Sequence, residues 1–146
     1  MPAQNSPSET SARFSSLIES MARPHDVRGL SIKGLHMVMA MRLCALFDAA
    51  GQDPLPDLAR RYRSIEAAFA VHGLVQTIKK VWPEPFLVNR PCCHAMTPDE
   101  VTLAALARTT RAGNRDAFTA AMAGFVRAER HEALYNATIH AVALLP

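Results

Sequence analysis

The sequence predicts an all-α fold, a single-domain, non-symmetric bundle of five to six helices. Apolar residues recur three and four positions apart along most of the chain, as in helices with one buried face. Helix-start and helix-stop residues separate these stretches, and neither hairpin signals nor alternating strands and helices appear. With 146 residues and 49% hydrophobic side chains, residues 11–146 are expected to form one domain after a disordered tail at 1–10.

The first helix is predicted to begin near Thr10 and to end at Pro24. Its apolar residues lie at helical spacing: Phe14, Leu17, Ile18 and Met21. The polar residues before it lack the apolar stretch of a secretory signal, so we expect no such signal.

The second helix, about 27–49, is predicted to lie at the centre of the bundle. Its second half is apolar on nearly all sides, which is typical of a buried helix. Arg42 and Asp48 interrupt this run, which is too short for the ~20 apolar residues of a bilayer span. We therefore expect Leu43 and Leu46 to be almost inaccessible, and Leu46→Ala to cost ~2–5 kcal/mol.

A third helix is predicted over about 56–81. Its apolar stripe runs at three- to four-residue spacing through Leu58, Tyr62, Ile65, Phe69 and His72. This pattern predicts one continuous amphipathic helix with these five side chains in the core.

A long loop, about 82–97, follows. It contains three prolines, Pro83, Pro85 and Pro91, which are incompatible with a regular helix. Sixteen residues is long for a connection between helices, so the loop is expected to cover part of the bundle or to carry a function. Three apolar residues are expected to hold it against the core: Phe86, Val88 and Met96.

The start of the next helix carries the clearest local signal in the chain. Thr97 is predicted to be the N-cap and Pro98 the first helical residue, where its missing N–H costs nothing. Glu100, three residues after Thr97, can accept a hydrogen bond from the cap's backbone N–H, which completes a capping box. This helix is expected to run from Pro98 to about Ala112.

Two further helices complete the predicted fold. Gly113 is expected to be the left-handed residue after the preceding helix, and Asn114 to cap a helix over about 115–126. A break is predicted at 127–130, before a last helix.

Cys92, Cys93 and His94 in the proline-rich loop are the candidate site for chemistry. In an extended segment side chains alternate between faces, so only Cys92 and His94 could share a metal ion. The remaining ligands would have to come from elsewhere, from Cys44, His131 or His140, because structural zinc takes four ligands.

The favoured interpretation of this loop is structural. Free cysteine is among the most buried residue types, so Cys92 and Cys93 are predicted to be reduced, unmetallated and mostly packed. A reactive thiol needs a nearby cation or a free helix N-terminus, whereas Asp99 and Glu100 already occupy the start of the next helix. No catalytic residue and no cofactor are predicted.

The segment "RPCCHAMTPDEVTLAALA" resembles a family of short bacterial proteins of unknown function, found chiefly in sphingomonad-type alphaproteobacteria. The resemblance rests on Pro91-Cys92-Cys93, Met96-Thr97 and Asp99-Glu100, followed by the apolar helix. It implies a cytoplasmic bacterial protein with a similar helical layout, and it implies no activity.

Composition and charge narrow the classes of partner. With 16 basic and 13 acidic residues and a net charge of +3, the chain lacks the strong basic excess of nucleic-acid-binding proteins, and no membrane association is predicted. Three cysteines do not form a disulfide framework, which favours the cytoplasm. We expect a non-enzymatic helical protein that binds a protein partner or forms a homo-oligomer. The alternative is a thiol or metal site at Cys92, Cys93 and His94.

Overall fold

A computed structural model describes residue 11 and residues 25–146. The fold is all-α, as the sequence predicted, and the helices are α1 (Ile32–Ala49), α2 (Leu55–Tyr62), α3 (Ile65–Val81), α4 (Pro98–Arg111), α5 (Arg115–Met122) and α6 (His131–Leu144). Short 3-10 helices precede α1 and α6, at Val27–Gly29 and Ala128–Arg130. None of the helices in the described ranges is long and apolar enough to cross a membrane. The predicted tail at 1–10 and nearly all of the predicted first helix lie outside the described residues.

Side-chain caps fix where four of the helices begin. Ser31, Ser64, Thr97 and Asn114 each accept a hydrogen bond from the backbone N–H three residues later, so each satisfies one of the free donors of a helix start. The predicted caps at Thr97 and Asn114 are therefore confirmed. Gly113 has the predicted left-handed conformation, with φ of 69°.

Helices α3 and α4 each pack against three other helices of the bundle. Helix α3 packs against α1, α2 and α6, while α4 packs against α1, α5 and α6. The side chains between them form one continuous core, whose fully buried members include Met37, Leu58, Ile78, Leu103, Leu106, Phe118, Met122 and Leu134. Helix α1 packs against both α3 and α4 and contributes five buried residues to this core: Met37, Ala40, Met41, Leu43 and Cys44.

Helix α1 buries its middle and exposes its last turn. Leu43 is 7% exposed, as predicted, but Leu46 is 55% exposed, so its predicted burial was wrong. Asp48 and Ala49 are exposed as well. Phe47 in the same turn still packs against the core, and Asp48 pairs with Lys79 of α3. The last turn is therefore covered on one side only, and the local apolar pattern does not reveal which side.

The predicted third helix is two helices with a sharp turn between them. Arg63 adopts a left-handed conformation with φ of 52°, and Ser64 caps the start of α3. Leu58 and Tyr62 are buried as predicted, whereas Ile65 and Phe69 are 68% and 60% exposed. The break at Arg63 changes the direction of the chain, so one stripe of residues cannot face the core on both sides of it.

Candidate functional site

The proline-rich loop is held in place by one buried arginine. Arg42 on α1 donates through Nε and Nη2 to both carboxylate oxygens of Glu100, at 2.6 and 3.0 Å. Its Nη1 donates to the carbonyl oxygens of Cys93 and Arg90, at 2.6 and 3.2 Å. Its Nη2 also donates to the carbonyl oxygen of Ala95, at 2.9 Å. These five hydrogen bonds equal the number of guanidinium N–H groups, so the loop is fixed through its backbone.

Glu100 connects this arginine to the start of α4. The same carboxylate accepts a hydrogen bond from the backbone N–H of Thr97 at 2.9 Å, as the predicted capping box requires. The side chains of Arg42 and Glu100 are both 0% exposed. The hydrogen bonds to Glu100 raise the pKa of Arg42 above its ordinary value, so this buried guanidinium stays charged. In the sequence, Arg42 stands out only as an interruption of an apolar run.

Further hydrogen bonds fix both sides of the loop. The Asn89 side chain donates to the carbonyl oxygen of Ala95 at 2.7 Å. The backbone N–H of Val27 donates to the carbonyl oxygen of His94 at 2.8 Å. Three apolar side chains of the loop pack against the core as predicted: Phe86, Val88 and Met96. The loop therefore has a defined shape despite its length and lack of regular structure.

The candidate cysteines lie on a tight turn of this loop. The backbone N–H of Cys93 donates to the carbonyl oxygen of Arg90 at 3.0 Å, which closes a turn with Pro91 and Cys92 at its corner. Cys92 and His94 are exposed, and Cys93 is half-buried. The prediction that both cysteines are mostly packed was therefore wrong for Cys92. Arg42 holds the loop by its carbonyl oxygens and not by the side chains of the turn, which is compatible with the exposure of Cys92.

The structure does not bring the proposed remote ligands to this turn. Cys44 is buried in the core, where burial raises the pKa of its thiol to about 11. The His131 ring is hydrogen-bonded at 2.8 Å to the carbonyl oxygen of Val126, and His140 lines a groove between α3 and α6. Within residues 25–146, no group of three or more His, Cys, Asp or Glu side chains is placed to hold a metal ion.

A concave pocket lies beside the first part of the same loop. It has a volume of about 530 Å³ and is formed by α1, α3 and the first part of the loop. We call it the Trp82 pocket. Its lining residues are Met41, Ala45, Asp48, Val75, Lys79, Trp82, Pro83, Glu84, Pro85, Phe86 and Val88. This site was not predicted from the sequence, because its lining combines two helices and a loop that are distant in sequence.

Aromatic contacts and one carboxylate shape the loop wall of the Trp82 pocket. The Trp82 ring lies 5.0 Å from Phe86 and 5.2 Å from Phe125, measured between ring centroids. Asp99, in the first turn of α4, accepts hydrogen bonds from the Trp82 indole N–H at 3.2 Å and from the Leu87 backbone N–H at 2.8 Å. Asp99 therefore joins the two ends of the segment that forms this wall.

Three charged residues line the otherwise apolar Trp82 pocket. Asp48 on α1 and Lys79 on α3 form an ion pair with each other. Glu84, between two prolines, is exposed and forms no ion pair with any of the residues that the structure describes. The lining therefore carries one net negative charge, although the whole chain carries +3.

A second, smaller groove separates α3 from α6. Its volume is about 270 Å³, and Phe69, Gly73, Thr77, Ala137 and His140 are among its lining residues. Its lining also offers fewer charged groups than that of the Trp82 pocket, since it contains neither an acidic nor a basic residue other than His140.

No protein-family model matches this chain, and neither a curated protein nor a solved structure is significantly similar to it. The resemblance around Cys92 and Thr97 therefore stays an expectation. What the chain does has to be inferred from its own geometry.

Proposed function

We propose that this chain is a small, non-enzymatic helical protein that acts by binding a protein partner, and that the Trp82 pocket receives a side chain of that partner. The observation that carries the proposal is the pocket itself. At about 530 Å³ it falls within the range of about 300–1,000 Å³ that is typical of binding pockets. Trp82, Phe86, Met41 and Val75 give it the apolar lining that such pockets share.

The chemistry of the lining supports binding more than catalysis. A nucleophile works with a neighbouring base, and a general acid or base needs a suitable titratable group near the substrate. Asp48, Lys79 and Glu84 are the titratable residues of the lining, and Asp48 and Lys79 are paired with each other. The pocket thus offers apolar contact and charge rather than a reacting pair.

The fixed shape of the loop also supports binding. Arg42 and Asp99 hold the loop by hydrogen bonds to its backbone and to Trp82. A wall that is already ordered loses little conformational freedom when a partner binds, so more of the contact energy contributes to affinity. A side chain that fills such a pocket is a typical hot spot of a protein–protein interface.

The proposal is tested by selecting binders from a displayed library of random peptides and filling the pocket in the target. Ala45→Phe places a benzyl group at a lining position of α1 and should weaken the selected peptides by at least ~10-fold, as expected for the loss of a hot-spot contact. Ala120→Phe adds the same group at an exposed position of α5, outside the pocket, and should leave binding unchanged. Equal binding to wild type and Ala45→Phe would reject the proposal.

A thiol role of Cys92 is the second candidate function. It is favoured by one observation, the exposure of Cys92 at the corner of a turn that Arg42 holds in place. The free cysteines suit a reducing compartment, which supports a cytoplasmic location. Native mass spectrometry of wild type and Cys92→Ser tests this role: a bound metal or adduct that is lost in the variant would support it, and identical masses apart from the substitution would reject it.

A further inference from the structure

We infer that the partner group which enters the Trp82 pocket is positively charged, a lysine or arginine side chain carried by the partner protein. This inference rests on the proposed function and adds the charge of the anchoring side chain. Its basis is charge complementarity. The lining carries one net negative charge in a chain of net charge +3, so this region differs in sign from the molecule as a whole.

Glu84 is the residue that gives the pocket its unbalanced charge. The Asp48 carboxylate is already paired with Lys79, so it is partly neutralised. Glu84 is exposed and forms no ion pair within the described part of the chain. Pro83 and Pro85 restrict the backbone on both sides of Glu84, so this residue is kept in the pocket lining, where its carboxylate can pair with an incoming cation.

The rest of the lining fits the remainder of a basic side chain. Lysine and arginine bury long aliphatic stems against apolar surface while their charged ends stay near water or a counterion. Met41, Val75 and Val88 provide such a surface. Trp82 and Phe86 belong to the same lining, and aromatic rings attract cations through their electron-rich π systems.

Two small probes separate charge from apolar contact. N-acetyl-lysine N-methylamide and N-acetyl-norleucine N-methylamide have similar aliphatic stems, and only the first carries a charge. The chain contains a single tryptophan, so the indole N–H signal in a ¹H–¹⁵N NMR spectrum belongs to Trp82, which lines this pocket. We expect the lysine probe to shift this signal at several-fold lower concentration than the norleucine probe, and added salt to reduce the difference.

Glu84→Gln is the matched variant, because it removes the charge and keeps the shape. It should weaken the lysine probe by about 2- to 5-fold, the range expected for one exposed ion pair, and leave the norleucine probe unchanged. Glu66→Gln, at an exposed position of α3 outside the pocket, should change neither. Equal affinity for the two probes, or an unchanged affinity of Glu84→Gln for the lysine probe, would overturn the inference.

The outcomes distinguish this inference from the proposed function. If Ala45→Phe prevents binding of both probes while Glu84→Gln has no effect, the pocket binds apolar groups and only the inferred charge is wrong. If Ala45→Phe leaves both probes bound, the pocket is not the binding site and both proposals fail. A Trp82 signal that shifts when wild type alone is diluted, but not when Ala45→Phe is diluted, would make a second copy of the chain the occupant and would overturn the inferred partner.

Discussion

Arg42 and Glu100 form a bidentate ion pair in the interior of the protein, with both side chains 0% exposed. They lie 58 residues apart, on α1 and α4, and join the two helices to the proline-rich loop. The cost of burying two charges is offset only where the hydrogen bonding is complete. Here the guanidinium reaches the carbonyl oxygens of Arg90, Cys93 and Ala95, and the carboxylate also accepts from Thr97.

Arg42→Met should destabilise the fold by about 3–5 kcal/mol, because it leaves the Glu100 carboxylate buried without its counterion and removes the Arg42 hydrogen bonds to three loop carbonyls. Urea unfolding followed by circular dichroism measures the change. Arg60→Met is the control, since Arg60 is a surface partner of Asp57 with a side chain 79% exposed. That variant should change stability by less than ~1 kcal/mol. Similar losses in the two variants would contradict a structural role of Arg42.

Thr97→Ala should cost about 0.5–2 kcal/mol, because Thr97 Oγ1 accepts from the backbone N–H of Glu100 at 3.1 Å as the N-cap. The same hydroxyl donates to the carbonyl oxygen of Leu87 at 2.7 Å, so the loss should fall in the upper half of this range. Thr102→Ala in the same helix is the matched control. It removes no cap and introduces a better helix former, so it should be neutral or slightly stabilising. Thermal unfolding of both variants tests the difference.

The features that the sequence predicted correctly are local ones. The capping box at Thr97 and the helix end at Gly113 depend on residues within three or four positions of each other, and such interactions are visible in the sequence pattern. The Arg42–Glu100 pair is not local. Nothing in the residues around Arg42 specifies a partner 58 positions later, although an arginine within an apolar run is a signal that a buried counterion is needed.

The sequence pattern also could not predict which residues of an apolar helix face are buried in the core and which are exposed. The same apolar pattern covers Leu43, which is buried, and Leu46, which is 55% exposed. The turn at Arg63 and the Trp82 pocket depend on how several elements pack together. Periodicity identifies the face of a helix that is apolar, whereas the packing of the whole chain decides how far along the helix that face is covered.

Leu43→Ala and Leu46→Ala should differ in their effect on stability, although they delete the same atoms three positions apart on α1. Leu43 is 7% exposed, so its truncation should leave a cavity and cost ~2–5 kcal/mol. Leu46 is largely exposed, and its truncation should cost less than about 1 kcal/mol. Chemical denaturation of the two variants measures this difference. Equal losses would mean that the last turn of α1 is covered by other parts of the chain.

The three cysteines should react with a thiol reagent at three different rates in the native protein. Cys92 is exposed and should be labelled first, and Cys93, half-buried, more slowly. Cys44 should be labelled only after unfolding, because it is buried and because burial raises the pKa of its thiol to about 11, so that little reactive thiolate forms near neutral pH. Timed labelling with Ellman's reagent, with and without denaturant, measures the three rates.

Variants assign these rates to residues. Cys92→Ser should remove the fastest phase, and Cys93→Ser should keep it. Rapid labelling of Cys92 alone would reflect its exposure at the turn, since the Arg42 hydrogen bonds hold the loop with this side chain outward. A native protein that lacks a fast phase, or one whose fast phase persists in Cys92→Ser, would show that the turn is covered or arranged differently. In that case the second candidate function, which depends on an accessible Cys92, would lose its support.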